Sequence, residues 1–309
     1  MLQNLQVVSG SVLTLFLLMS VGFFFGKKGM LSEATLSQLS RLLLYVVTPS
    51  ITITSFEVER TPENTRQLLA AAAALAGTYA LYMVLSSALF RRQDGCRRGV
   101  LRFAAIYGNT GFMGLPLIQS VLGDEAMMIA VMAFAVFNIA TWTHGVLIMG
   151  GREHFSLRKA VLNPGVLGLA AGVLLFAAGW RLPGPVDAAV GYLGSLNTPL
   201  AMVIIGGQMA AANLPETFRE RTLYLASALK LLGIPLLTAL VLLPFRMDAM
   251  IFSALVILSA CPTAGATSLF SQSMGKDTAL AARQITLSTL LCIITLPVMA
   301  VLAQLLAAH

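Results

Sequence analysis

Residues 108–116 read Gly-Asn-Thr-Gly-Phe-Met-Gly-Leu-Pro, inside a charge-free run from Phe103 to Gly123. A helix needs about 20 mainly apolar residues to cross a bilayer, and this run is long enough. Three glycines and a proline within so short a stretch oppose a continuous helix. Glycine loses the most backbone entropy on becoming helical, and Pro116 lacks an N–H and collides with the preceding turn. In hydrocarbon the freed backbone groups find no water, so a break survives only against protein or a wet cavity. The stretch therefore predicts an interrupted membrane helix with a binding site at the interruption.

The surrounding composition agrees. Of 309 residues 57% are hydrophobic and 11% charged, with a mean hydropathy of +0.83, which predicts an all-α, multi-pass membrane protein. Ten spans are expected: Val7–Gly26, Leu36–Phe56, Gln67–Phe90, Leu101–Leu122, Ala126–Met149, Pro164–Trp180, Asp187–Ala211, Thr222–Leu243, Ala249–Met274 and Thr278–Leu306. No length remains for a soluble domain. The first span has no positive region before it and Lys27 and Lys28 after it, so it reads as a retained helix, not a signal peptide.

Cations orient the spans. Of 20 Lys and Arg, Arg60, Arg66, Arg181 and Arg246 fall in loops after even-numbered spans, and Lys230 lies within span 8. The remaining fifteen lie in loops after odd-numbered spans or at the adjoining helix ends, which places those loops inside and both termini outside. The net charge of +7 thus reflects anchoring at an inner membrane face, with Arg91–Arg102 near anionic headgroups. Scattered over short loops, these cations do not make a nucleic-acid surface. The three cysteines, Cys96, Cys261 and Cys292, have neither disulfide nor metal spacing, and no cofactor motif is present.

An internal repeat is legible. Thr48-Pro49 recurs as Thr198-Pro199, an offset of 150, and Gly123 near Asp124 recurs as Gly275 near Asp277, an offset of 152. The second offset carries Asn109 onto Cys261, immediately before Pro262, so a second break is expected over Cys261–Thr267. Repeats of five helices, residues 1–154 and 155–309, must insert with opposite orientation. Spans 4 and 9 would then run antiparallel with their breaks facing.

Each half-helix beyond a break, expected to start near Leu115–Leu117 and Thr267–Leu269, would turn its N-terminal N–H groups toward an anion. Asn109, Thr110, Gly111, Gly114 and Pro116 from the first break, and Cys261, Pro262, Thr263 and Gly265 from the second, are the candidate substrate-binding residues, with Asn138 of span 5 as a further polar group. Lys230 is the one cation near the centre of a span, and no Asp or Glu lies mid-span to pair with it. It either faces a transported anion or is held by backbone carbonyls and water. His144, toward the inner end of span 5, reads first as a satisfied interface histidine and only second as a proton relay.

At these residues the chain resembles the auxin efflux carrier family, which includes plant auxin exporters and bacterial malate or malonate permeases. The resemblance is carried by Leu44–Ser50 (Leu-Tyr-Val-Val-Thr-Pro-Ser), Gly108–Pro116, Asn197-Thr198-Pro199-Leu200 and Ser259–Ala264, spread over nearly the whole chain. It implies two inverted five-helix repeats with broken crossover helices 4 and 9, as in bile-acid and sodium/proton transporters of related fold. It also implies a scaffold of helices 1, 2, 6 and 7, often dimeric, beside a mobile unit of helices 3–5 and 8–10. By that resemblance Asn109, Pro116 and Pro262 fall where a carboxylate-bearing substrate is held. Two departures stand out: Gly150–Asn163 is far shorter than the hydrophilic loop of plant members, and Cys261 stands where an asparagine would mirror Asn109.

The expected function is secondary transport of small organic anions, carboxylates such as malate, malonate or auxin-like acids, by alternating access in a cell inner membrane. An inside-negative potential would favour export by about 2.3 kcal/mol per charge per 100 mV. A cation/proton antiporter would need a mid-span carboxylate, and an intramembrane enzyme a nucleophile–base pair or metal cluster; neither is apparent. A non-transporting membrane sensor would share the composition and is separated by flux.

Overall fold

Caps, glycines and prolines divide the chain into helices in the computed structural model, which describes residues 2–211 and 214–307. The chain ends used in the topology, Met1 and His309, lie outside the described residues. In order the helices are α1 (Leu2–Lys27), α2 (Glu33–Ser55), α3 (Pro62–Ser86), α4 (Gly95–Ile106), α5 (Thr110–Leu122), α6 (Asp124–Gly150) and the short α7 (Leu157–Val161). Then follow α8 (Pro164–Ala178), α9 (Gly184–Ala210), the short α10 (Leu214–Arg219), α11 (Arg221–Phe245), α12 (Ala249–Ser259), α13 (Ala266–Ser273) and α14 (Thr278–Ala307). Seven of these, α1, α2, α3, α6, α9, α11 and α14, are long and apolar enough to cross a membrane, and α5, α8 and α12 are shorter apolar helices.

Local chemistry sets the boundaries and moves some from their expected places. α3 begins at Pro62, not Gln67, because Thr61 accepts the Asn64 N–H at 3.0 Å and a first-turn proline sacrifices no helical bond. α8 stops at Ala178, short of Trp180, because Gly179 takes a left-handed conformation (φ 64°) and closes the helix.

The packing has two groupings. α1 lies along the Asn197–Ala210 part of α9, and the Thr48–Ser55 part of α2 packs on α8 and on Gly184–Ser195. The α1–α9 contact is close enough to require glycine: a Cβ on Gly206 would lie 1.9 Å from the Met19 carbonyl oxygen. Without water to drive association, such backbone approach supplies the attraction through dispersion. In the second grouping α3 packs on α6, and α12 on α11 and α14. α6 is the innermost helix: 67% of its most apolar window is buried, against 39% or less for the other long helices.

Four helices among the described residues widen for one turn into π geometry, at Leu43–Val47, Thr110–Gly114, Thr141–Gly145 and Leu229–Gly233. Three of the four are followed at the second position by a proline: Pro49, Pro116 and Pro235. A proline ring collides with the carbonyl four residues back, and a wider turn upstream moves that carbonyl aside. Helix therefore continues through these prolines, and the interruption predicted from Gly108–Pro116 falls earlier, at Tyr107–Asn109.

Candidate functional site

The two interrupted segments meet. Tyr107, Gly108 and Asn109 join α4 to α5 outside helix, and Cys261–Ala264 lie between α12 and α13. Tyr107 is extended, and the chain turns at Asn109 so that the Thr110 N–H donates to the Gly108 carbonyl at 2.8 Å. Gly108 and Thr263 form an antiparallel bridge. The Asn109 N–H donates to the Pro262 carbonyl at 2.7 Å, and the Ala264 N–H donates to the Tyr107 carbonyl at 2.9 Å. Backbone groups that hydrocarbon would leave unpaired thus satisfy one another across the crossing. Side chains add to these: Ser288 Oγ accepts the Thr263 N–H at 3.1 Å, and Thr263 Oγ1 donates to the Ala104 carbonyl at 3.1 Å.

The half-helix beyond the first break starts at Thr110, five residues before its expected start at Leu115, because the π-turn begins directly at the crossing. Asn109 Oδ1 accepts the Phe112 N–H at 3.2 Å, so the Asn109 amide caps α5. α13 begins at Ala266 with Gly265 at its cap position and no side-chain cap. The C-terminal ends of α4 and α12 arrive at the same crossing as the N-terminal ends of α5 and α13. Partial positive and negative ends are therefore interleaved, and helix dipoles alone leave no large net field for an anion.

Lys230 supplies the charge. It sits in the π-turn of α11, only 1% exposed, and its Nζ donates to the Ser259 carbonyl at 2.5 Å. That carbonyl ends α12, so the ammonium is balanced by the negative end of a half-helix where no carboxylate is available. A Cβ on Gly108 would lie 2.9 Å from both Cε and Nζ of Lys230, which ties the glycine of the crossing to the lysine. The ammonium opens onto a narrow recess. Thr78, Tyr79 and Tyr82 of α3, Thr110 of α5 and Thr238 of α11 supply hydroxyls to its wall; Leu75, Ile106, Ala133, Ile234, Leu255 and Leu258 are apolar. Tyr82 Oη and Thr238 Oγ1 are hydrogen-bonded across the wall. The lining holds one cation and no carboxylate.

Of the residues expected at the site, Lys230 and Thr110 line the recess, with Gly108 between them. Asn109, Cys261, Pro262 and Thr263 build the crossing without lining it. Gly111 and Gly114 serve packing, for a Cβ at the first would meet Phe134 at 2.5 Å and at the second Leu258 at 2.8 Å. Pro116 is buried within α5, and Gly265 is exposed. Asn138 donates to the Phe134 carbonyl at 2.9 Å and stands beside Gly165 of α8, away from the recess. Thr78, Tyr79, Tyr82 and Thr238 were not foreseen. The signal was faint: Thr78 and Tyr82 share a helix face at four-residue spacing, and the π-turn brings Thr238 round to the face of Lys230.

Outside the apolar layer, Arg97 of α4 pairs with Glu220 at 3.0 Å and Arg283 of α14 with Glu216 at 3.7 Å. Burial alone would raise the Glu220 carboxyl, but hydrogen bonds from Thr222 and Arg97 and the charges of Arg97 and Arg283 outweigh it and hold it below the usual carboxylate range.

Comparison with known proteins follows the same lines. A family model described as membrane transport protein matches residues 7–156 and 152–300. An uncharacterized transporter of Methanothermobacter thermautotrophicus is 26% identical over 296 residues, covering 94% of this chain and 97% of its own. A protein of Rhizobium meliloti described as "Putative malonate transporter" is 25% identical over 302 residues, covering 93% of each chain.

Proposed function

This chain belongs to the membrane transport protein family, and from that premise we propose that it is a secondary transporter of small organic anions, dicarboxylates such as malonate or malate first among them. The family and its relatives are transporters, not enzymes. The observation that carries the substrate class is Lys230: a fully buried ammonium, free of any carboxylate partner, at the mouth of the crossing. Two unit charges 4 Å apart attract by about 4 kcal/mol at an effective dielectric of ~20, more than the ~1.5–3 kcal/mol of a charged hydrogen bond. An incoming carboxylate therefore competes for Nζ against the Ser259 carbonyl, and the Tyr and Thr hydroxyls bind its remaining oxygens. The malonate description of one relative supports the same class.

The proposed architecture is two inverted five-helix repeats, residues 1–154 and 155–309. α4–α5 and α12–α13 would form the two broken crossover helices of a ten-helix fold. The grouping of α1 and α2 with α8 and α9 supports a scaffold, against which the remaining helices move the crossing between the two faces of the membrane. Both termini are placed outside an inner membrane, and a pair of scaffolds joins two copies in a homodimer. The decisive assay is flux in proteoliposomes of purified protein, offering malonate, malate, auxin and monocarboxylates under imposed proton, sodium and voltage gradients. Saturable flux of a carboxylate, lost in Lys230→Met, is expected. Flux of a cation instead, or carboxylate flux equal in Lys230→Met, overturns the reading.

A further inference from the structure

Three of the four π-turns are explained by a proline downstream; the fourth, Thr141–Gly145 in α6, has none and carries His144. π-turns recur where a helix re-aims a side chain at a functional site. His144 Nδ1 lies 2.8 Å from Tyr107 Oη, and Nε2 lies 3.2 Å from Ser86 Oγ. Each hydroxyl owns one proton and has a backbone carbonyl to receive it: Tyr107 Oη donates to Ala140 at 3.0 Å, and Ser86 Oγ to Met83 at 2.6 Å. With the protons so placed, both ring nitrogens face lone pairs. That arrangement is completely bonded only when both nitrogens carry hydrogen, as in imidazolium. A neutral ring is served equally well if one hydroxyl rotates to donate to it. The pocket thus accepts either protonation state by turning a hydroxyl, with no side chain displaced.

Among the described residues, no charged side chain hydrogen-bonds the ring. α6 has none near it, and α3 presents Ser86, with Tyr79 and Tyr82 farther along the helix. From α4, Arg102 donates to the Ser87 and Leu89 carbonyls at 2.7 and 2.8 Å, beside Ser86 but not to the ring. Arg158 of α7 is exposed, and α13 has no ionisable side chain. The connection runs the other way, to the crossing. Tyr107 is the first residue of the break, its carbonyl accepts the Ala264 N–H, and its ring stacks on Tyr79 of the recess wall at 6.2 Å between centroids.

We propose that His144 is a proton-binding site joined to the crossing through Tyr107, and that a proton taken there from bulk water travels with the substrate anion. The coupling rests on the carboxylate reading above and deepens it. A positive ring near the recess favours an anion, and by linkage the anion favours the proton equally. Malonate and malate carry two charges near neutral pH, so with one proton they move a single negative charge and both the pH gradient and the voltage drive flux, whereas a monocarboxylate with its proton follows the pH gradient alone.

The test is 15N-histidine NMR of the full chain in phosphatidylcholine vesicles, titrated through the histidine range with and without saturating malonate. The ring missing from His144→Gln is expected to pass from doubly to singly protonated as pH rises, and its midpoint to rise with malonate. Tyr107→Phe, which removes an acceptor for the imidazolium, is expected to lower the midpoint. A ring that keeps one neutral tautomer throughout overturns the proton site. A midpoint that malonate leaves unmoved, in vesicles that do transport malonate, overturns the coupling. Vesicles without malonate flux sink the carboxylate reading instead, while the titration still decides the proton site.

Discussion

The two breaks that meet at the crossing are built differently. Beyond the backbone bonds that the two breaks share, the first is held by its own residues: a tight turn at Asn109, whose side chain caps the helix after it, and a π-turn that restarts the helix at once. The second is longer and depends on neighbours. Its N–H at Thr263 is held by Ser288 of α14, its Thr263 hydroxyl reaches Ala104 of α4, and the carbonyl before it, at Ser259, is held by Lys230 of α11. Positions expected to mirror one another, Asn109 and Cys261, therefore do unlike work. One break stores its order locally; the other borrows it, and one of its supports is the charge that faces the recess.

Four measurements break or sharpen that contrast. The largest effect is expected from Gly108→Val. Its side chain would press on Lys230 and on the Cys261 carbonyl, 3.1 Å from a Cβ at that position, so flux should vanish and the melting temperature should fall by the equivalent of about 1–3 kcal/mol. Unchanged flux would detach the lysine from the crossing. Next comes Ser288→Ala, which strands the buried Thr263 N–H at a cost of about 1–3 kcal/mol, read as a lower melting temperature and slower flux.

Asn109→Ala should cost less, about 1 kcal/mol for a lost cap, with flux reduced only modestly. If it silences transport while the melting temperature holds, the asparagine binds substrate and the two breaks are more alike than their hydrogen bonds. The smallest effect belongs to the membrane surface. Since the Glu220 carboxyl is depressed, its stabilising contact with Arg97 is complete at neutral pH and is lost as pH falls through the lowered value. Glu220→Gln should flatten the acid limb of a stability–pH curve, and an unaltered limb would show that the pair contributes nothing.

How much of this was legible in the sequence follows from the chemistry of each residue. Glycine and proline carry backbone information in their covalent structure, so Gly108 and Pro262 announced both breaks, while Pro116 pointed to the right segment but sits inside the helix that follows. Lys230 was legible because a charge in a Leu-rich span has no bland environment. The point where helix resumes was not, since a π-turn carries a proline without ending the helix and leaves little trace in composition. Nor were the recess hydroxyls: Thr in a helix usually bonds its own backbone and Tyr reads as aromatic packing, and only the tertiary packing selects the few that face a cavity. Asn138 misled for the same reason, its amide being spent on Phe134. His144 read as a satisfied interface group, and both its nitrogens do face hydroxyls; the π-turn that carries it left no trace in composition.

The central claim is that the Lys230 ammonium receives the substrate anion beside the crossing. Equilibrium binding of labelled malonate to purified protein, with the melting temperature taken on the same samples, tests it most directly. Wild-type protein should bind saturably, and Lys230→Met, measured where it remains folded, should lose at least about tenfold in affinity, one charged contact of ~1.4 kcal/mol or more, beyond what the lower melting temperature from freeing the Ser259 carbonyl explains. Malonate bound equally by Lys230→Met, or affinity lost only in step with unfolding, would contradict the account.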